Sequence, residues 1–212
     1  MRAQAARVVL LDLGGVFLDW DPRYLYRKIF SDEAAMEDFL ANICTPAWHL
    51  EQDRGLSVAQ ACAELSAGHP ELAGLINAWR ERSEEMIGGV IRGSVEVLAE
   101  LKAARVPCYA LSNMERENWE IRYKTYAFLG WFDGHFISGL EGVVKPDPEY
   151  FKLALDRFGL RPHEVVFVDD REQNVSAARA LGIPAVLFCG PEALRAELVA
   201  LGLLKPLPEA PA

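Results

Sequence analysis

Five short apolar runs, separated by helix-periodic sequence, constrain this chain more than any other feature. They span residues 7–12, 107–112, 135–138, 165–169 and 184–188. The first, Val8-Val9-Leu10-Leu11, is continuously β-branched and leucine-rich, the pattern of a strand buried on both faces. It ends in Asp12-Leu13-Gly14-Gly15. Alone, that ending suits a nucleophile or a metal ligand, and equally a capping acid and a turn. Ser94 reads as the cap of a helix reaching about residue 104. A second helix covers 115–128. Asp147-Pro148 pairs an N-cap with a first-position proline, and Gly159 ends that helix. Val175, Ala178 and Leu181 mark a helix stopped by Gly182, and residues 191–201 a last one. Strands alternating with helices predict an α/β fold, a Rossmann-like parallel sheet covered on both faces. Ligands bind such a sheet at the carboxyl ends of its strands.

One stretch breaks the rhythm. From residue 21 to about 87 only helical spacing appears. Pro22 opens a helix carrying Tyr24, Leu25, Lys28 and Ile29, and Ser31-Asp32-Glu33 starts one carrying Met36, Phe39 and Leu40. Ser57 caps a third, and Leu72, Leu75, Ile76 and Trp79 stripe a fourth over 71–87. The pattern predicts an all-helical insert at 19–87 within a core of 1–18 and 88–212.

With 212 residues, the chain is long enough for a full core carrying such an insert. A net charge of −9 argues against nonspecific nucleic-acid binding but leaves room for a small phosphorylated substrate, because a cation reverses the sign of one site. Cys44, Cys62, Cys108 and Cys189 have no metal-ligand spacing and read as reduced thiols. Arg2 and Arg7 mimic the start of a signal peptide, but Asp12 interrupts the apolar run and no run reaches membrane-spanning length. The expectation is a cytoplasmic protein with no membrane partner, monomeric or homodimeric, with a frayed proline-rich tail at 205–212.

The strand ends share one chemistry. Asp12 follows the first, Ser112-Asn113 the second, Lys145 lies after the third, and Asp169-Asp170 ends the fourth with Asn174 a helical turn beyond. A carboxylate nucleophile, a hydroxyl, an ammonium and an acidic pair at one sheet edge suit phosphoryl transfer through an aspartyl-phosphate. The ordered motifs Asp-x-Gly-Gly-Val, Leu-Ser-Asn, Val-Lys-Pro-Asp-Pro and Val-Asp-Asp-x-x-x-Asn resemble those of the haloacid dehalogenase superfamily, in the subgroup with a helical cap after the first strand.

The resemblance implies that Asp12 is the nucleophile and that Lys145 neutralises charge between it and the phosphate. It implies that Asp12, the Gly14 carbonyl, Asp169 and Asp170 hold Mg²⁺. Ser112 and the Asn113 backbone would hold phosphate oxygens, and Asn174 would orient the loop or the substrate. The implied function is a Mg²⁺-dependent phosphatase of a small metabolite.

One position departs from the family pattern. Most of its phosphatases carry a second Asp two residues after the nucleophile, as general acid–base. Here Gly14 stands there. Either the leaving group needs little help, as an anomeric oxygen or acyl group would, or Asp19, His49, Glu51 or a water replaces it. The same gap admits a metal-independent 2-haloacid dehalogenase, although such enzymes replace the fourth-strand acids that this chain keeps as Asp169 and Asp170. A non-catalytic binding protein is a third reading. In the cap, Trp48, His49 and Arg54 are candidates to face the ligand, with Asp19 on the approach to it.

Overall fold

The computed structural model describes residues 6–206. Residues 1–5 and 207–212, which include Arg2 and most of the proline-rich tail, lie outside the described residues. The first strand, β1 (Val8–Leu11), lies mid-sheet, and its side chains alternate between two cores. Val9 and Leu11 pack on one face with Val97, Leu98, Leu194 and Leu198. Val8 and Leu10 pack on the other with Tyr150, Phe151, Ala154 and Ala178. Burial on both faces explains why this run is apolar at every position.

After β1 the chain forms β2 (Leu18–Trp20), then five helices: α1 (Arg23–Tyr26), α2 (Glu33–Asn42), α3 (Pro46–Asp53), α4 (Val58–Gly68) and α5 (Ala73–Glu81). It returns through β3 (Ile87–Val90), which pairs antiparallel with β2. Then follow α6 (Arg92–Ala103), β4 (Cys108–Ser112), α7 (Arg116–Thr125), β5 (Gly134–Ile137), α8 (Ser138–Glu141), α9 (Pro148–Phe158), β6 (Val165–Asp169), α10 (Glu172–Ala180), β7 (Ala185–Leu187) and α11 (Pro191–Ala200). The five-stranded sheet runs β5-β4-β1-β6-β7, with every pairing parallel. Helices cover both faces, as the alternation predicts. The chain builds outward from β1 to β5, then crosses back to β6, so the strand order reverses between β1 and β6. Such a reversal opens a crevice at the carboxyl ends.

The five helices between β2 and β3 carry a hydrophobic cluster of their own, including Leu25, Tyr26, Met36, Phe39, Cys62, Ile76 and Trp79. Asp32 and Ser57 cap α2 and α4 through their side chains, as expected. Several local expectations are corrected. The fourth helix does not run to residue 87: α5 stops at Glu81, a 3₁₀ turn follows over Ser83–Met86, and β3 begins. Gly88 permits this, since a Cβ there would lie 2.7 Å from the Asp19 carboxylate and from the Tyr24 ring. Both short strands escape periodicity, because three or four residues with two glycines show no alternation. Helix α1 is a single turn, and the 115–128 helix ends at Thr125 before a 3₁₀ turn. Ser94 caps nothing: β3 runs almost directly into α6, and Ser94 is buried inside it with no partner for its hydroxyl. The four cysteines are free, and no described helix is long and apolar enough to cross a membrane.

Candidate active site

The pairing of β1 with β6 sets the site. Leu11 lies beside Val168, and the Asp12 amide donates to the Val168 carbonyl at 2.9 Å. Asp12 and Asp169 therefore sit level on neighbouring strands, and their carboxylates are forced together. Lys145 answers that repulsion. Its Nζ lies 2.9 Å from Asp12 Oδ1 and 2.7 Å from Asp169 Oδ2, and it donates to the Leu111 carbonyl at 2.9 Å. Three acceptors use all three ammonium protons. Burial pulls the Lys145 pKa down, but Asp12 and Asp169 outweigh it and hold the ammonium charged.

Asn113 fixes the Lys145 loop to β4. Its Nδ2 donates to the Lys145 carbonyl at 2.9 Å, and its Oδ1 accepts the Lys145 amide at 2.8 Å. Asn174 donates to both oxygens of Asp169, at 2.9 and 3.0 Å, and the Arg171 amide adds a third donor at 2.9 Å. The Asn174 amide thus serves Asp169. Ser112 ends β4 fully buried, its Oγ 3.4 Å from the Asn113 carbonyl. Gly15 adopts φ +70°, and a Cβ there would overlap the Asp170 carboxylate. At Gly14, by contrast, a Cβ would meet nothing within 4 Å.

Carboxylate oxygens of Asp12, Asp169 and Asp170 all lie within 4.8 Å of one another. Burial pushes the Asp12 pKa up; Lys145 offsets part of this, and Asp169 and Asp170 add to it. Burial and Asp169 likewise raise Asp170. Three acids against one ammonium leave negative charge uncompensated. An all-oxygen donor set with that surplus fits a hard divalent cation.

These residues open into a cavity of about 460 Å³ between the sheet edge and the helical insert. Asp12, Gly14, Asn113, Lys145, Asp170 and Asn174 line it from the sheet; Leu40, Cys44, His49, Leu50, Asp53 and Trp79 line it from the insert. Of the four insert-side candidates, His49 alone reaches this wall. Trp48 is half-buried within the insert, edge-on to Trp79, its Nε1 3.4 Å from the Ala61 carbonyl. Arg54 is exposed beside Glu51, at 3.4 Å. The Asp19 carboxylate accepts from the Tyr24 hydroxyl at 2.7 Å outside the cavity.

The cavity also holds residues that sequence reasoning missed. Glu115, 3% exposed, accepts from His49 Nε2 at 3.1 Å and from Asn118 Nδ2 at 3.1 Å. Asp53 lies four residues after His49 on the same face of α3. Arg122 is buried, bonded to Glu84 through Nε at 3.2 Å, with Nη2 unpartnered. The Thr45-Pro46 start of α3, an N-cap followed by proline, was the signal that would have paired Asp53 with His49. Nothing local marks Glu115, whose partner is 66 residues away.

A parallel sheet bearing this acidic and lysine constellation at its reversal point defines a class of hydrolases. The model of the haloacid dehalogenase-like hydrolases matches residues 6–182, and the chain belongs to that family. It is 28% identical over 180 residues to a sesquiterpene phosphatase of Aspergillus oryzae, covering 84% of this chain and 87% of the relative. Among solved structures it is similar to a family enzyme of Bacteroides thetaiotaomicron in complex with magnesium and inorganic phosphate. That match has 25% identity and a TM-score of 0.66, over 86% of this chain and 93% of the other. A crystal structure of a dehalogenase shares the fold at 22% identity and a TM-score of 0.63, over 87% and 85% of the two chains.

Proposed function

We propose that this hydrolase is a Mg²⁺-dependent phosphatase of a small phosphorylated metabolite, acting through an aspartyl-phosphate on Asp12. The observation that carries the reading is the surplus of carboxylate at the sheet edge: Asp12, Asp169 and Asp170 converge within 4.8 Å around a single ammonium. A site for a neutral or monoanionic haloacid has no use for that surplus. The magnesium–phosphate complex of the Bacteroides enzyme and the activity named for the Aspergillus relative support the same reading.

Asp12, Asp169, Asp170 and the Gly14 carbonyl would hold the cation, which screens the repulsion between nucleophile and phosphate dianion. Asp12 supplies the attacking oxygen. Lys145 keeps its carboxylate aimed and shares the charge that gathers as the phosphorus–oxygen bond forms. Ser112 and the Asn113 backbone hold phosphate oxygens. Asn174 acts one step removed, by orienting Asp169. Residues 19–87 form a cap that closes over the strand ends and excludes water, on a core of 1–18 and 88–212.

The test is a panel of phosphate esters and 2-haloacids, each assayed with Mg²⁺ and with a chelator. Phosphate release that requires Mg²⁺ is the expected result. Halide release that survives the chelator would assign the chain to the dehalogenases. No turnover of either class, with no Mg²⁺ bound, would make it a binding protein.

A further inference from the structure

The cavity contains an acid that the phosphoryl-transfer roles leave unused. Resting on the phosphatase reading, we propose that Asp53 is the proton donor and acceptor for the leaving group, positioned by His49 and Glu115, in place of the side chain that Gly14 lacks.

The three residues have different freedom. Both Glu115 oxygens are engaged, one with His49 Nε2 and one with Asn118 Nδ2, while Asn118 Oδ1 accepts from Ser83 Oγ at 2.9 Å. Glu115 is an anchor. His49 is clamped: its ring stacks on Trp20 at 5.1 Å and 20°, and meets Trp79 edge-on at 5.1 Å. Asp53 is the free member. Its carboxyl makes no hydrogen bond among the described residues, and His49 Nε2 lies 3.8 Å from Oδ1, beyond bonding distance. The residue is 5% exposed, and Oδ1 is sealed from solvent without a partner. A buried carboxylate with no donor is costly, so the group holds a proton.

The electrostatics agree with the geometry. Burial pushes Asp53 up; His49, Arg171 and Lys145 oppose this and Glu115 adds to it, leaving the acid above its usual range. Burial pulls His49 down, but Asp53 and Glu115 outweigh it, so the imidazole holds its charge more firmly. A neutral acid beside an ion pair is a proton store. Once the proton leaves, the imidazolium stabilises the carboxylate. Asp53 and Asp12 line the same cavity, and the space beside Gly14 is open.

The steps balance. Asp12 forms a bond to phosphorus, and the ester oxygen leaves with the bonding pair. That oxygen takes the Asp53 proton and departs as the alcohol. Water then adds its oxygen to phosphorus and gives one proton to Asp53. The bond to Asp12 breaks, restoring its carboxylate and releasing inorganic phosphate that carries the other hydrogen.

The test compares glycerol 2-phosphate, whose alkoxide needs a proton, with p-nitrophenyl phosphate, whose phenolate does not. Asp53→Asn should lower kcat/KM, which reports phosphorylation of Asp12, on the alkyl ester by roughly 10²–10⁴-fold and on the aryl ester by no more than about tenfold, while kcat falls on both because water loses its proton acceptor. His49→Gln should move the same ratio in the same direction, by less. Adding Gly14→Asp to Asp53→Asn should recover part of the alkyl rate. Equal losses of kcat/KM on both esters would overturn the proton-transfer role while leaving the phosphatase reading standing. A wild type inactive on every ester would refute that reading, and this proposal with it. If Asp53→Asn does not fold, the wild type decides: a shallow dependence of rate on leaving-group pKa across substituted phenyl phosphates supports the proposal, and a steep one overturns it.

Discussion

Asp12 and Asp169 are brought together by the register of two neighbouring strands and bridged by Lys145 from a loop that Asn113 fixes, whereas His49, Asp53 and Glu115 meet across the seam between the helical insert and the sheet. The first cluster is saturated. Lys145 uses every proton, and Asp169 accepts from Lys145, Asn174 and the Arg171 amide. The second is saturated only at Glu115, and Asp53 has no hydrogen bond among the described residues. The difference teaches a division of labour. Groups that must not move are locked by backbone pairing, and the group that exchanges a proton with a ligand is left without a protein partner.

Perturbing each cluster tests that contrast. Within the strand-end cluster, the largest effect after loss of the nucleophile itself is expected at Lys145. Lys145→Ala should lower kcat by about 10²–10³-fold on alkyl and aryl phosphates alike, since charge at phosphorus does not depend on the leaving group. Lys145→Arg should not rescue it, because a planar guanidinium does not fit three convergent acceptors. A rate loss confined to alkyl esters would erase the distinction between the clusters.

Asn174→Ala removes two donors from Asp169. Magnesium affinity measured by calorimetry should fall by roughly 10–100-fold, as for other residues that orient a metal ligand. Unchanged affinity would mean that Asp169 is held by Lys145 and the Arg171 amide alone. Gly15→Ala should cost about 1 kcal/mol or more in urea unfolding, from the strained φ, and should weaken magnesium binding by displacing Asp170. Wild-type stability with wild-type affinity would contradict that.

The smallest effect is on stability, at His49, and depends on pH. His49 is held above its unfolded value near 6.5 by Asp53 and Glu115, against burial and Arg171. Its charged form therefore stabilises the fold fully below that unfolded value, and the contribution is lost as pH rises through the raised one. The difference in urea midpoint between wild type and His49→Gln should be largest near pH 6 and shrink toward pH 9. A constant difference would show that His49 acts only by packing against Trp20 and Trp79.

The same contrast explains what the sequence disclosed. Residues fixed by strand ends are legible, because an apolar run ending in a polar residue carries its own register. Asp12, Ser112 and Asp169 can be placed that way, and the central sheet with them. Asp170 and Gly15 follow, being one residue and three residues along. The seam is not legible. Glu115 acquires meaning only from His49, 66 residues before it, and no periodicity links α3 to the start of α7. The two-strand stalk was hidden for a different reason. Leu18–Trp20 and Ile87–Val90 are too short for an alternation signal, and Gly88 and Gly89 look like a break rather than a strand. Trp48 shows the opposite error. An aromatic in a charged stretch suggests ligand contact, but a helix starting at Pro46 turns its ring inward, against Trp79.

Transfer of the phosphoryl group to Asp12 can be trapped directly. Rapid acid quench of the wild type during turnover of ³²P-labelled acetyl phosphate with Mg²⁺, followed by peptide mapping, tests it most directly. Label is expected on the peptide containing Asp12, released by hydroxylamine, with neither label nor turnover in Asp12→Asn. Steady turnover by Asp12→Asn, or label on another residue, would contradict it.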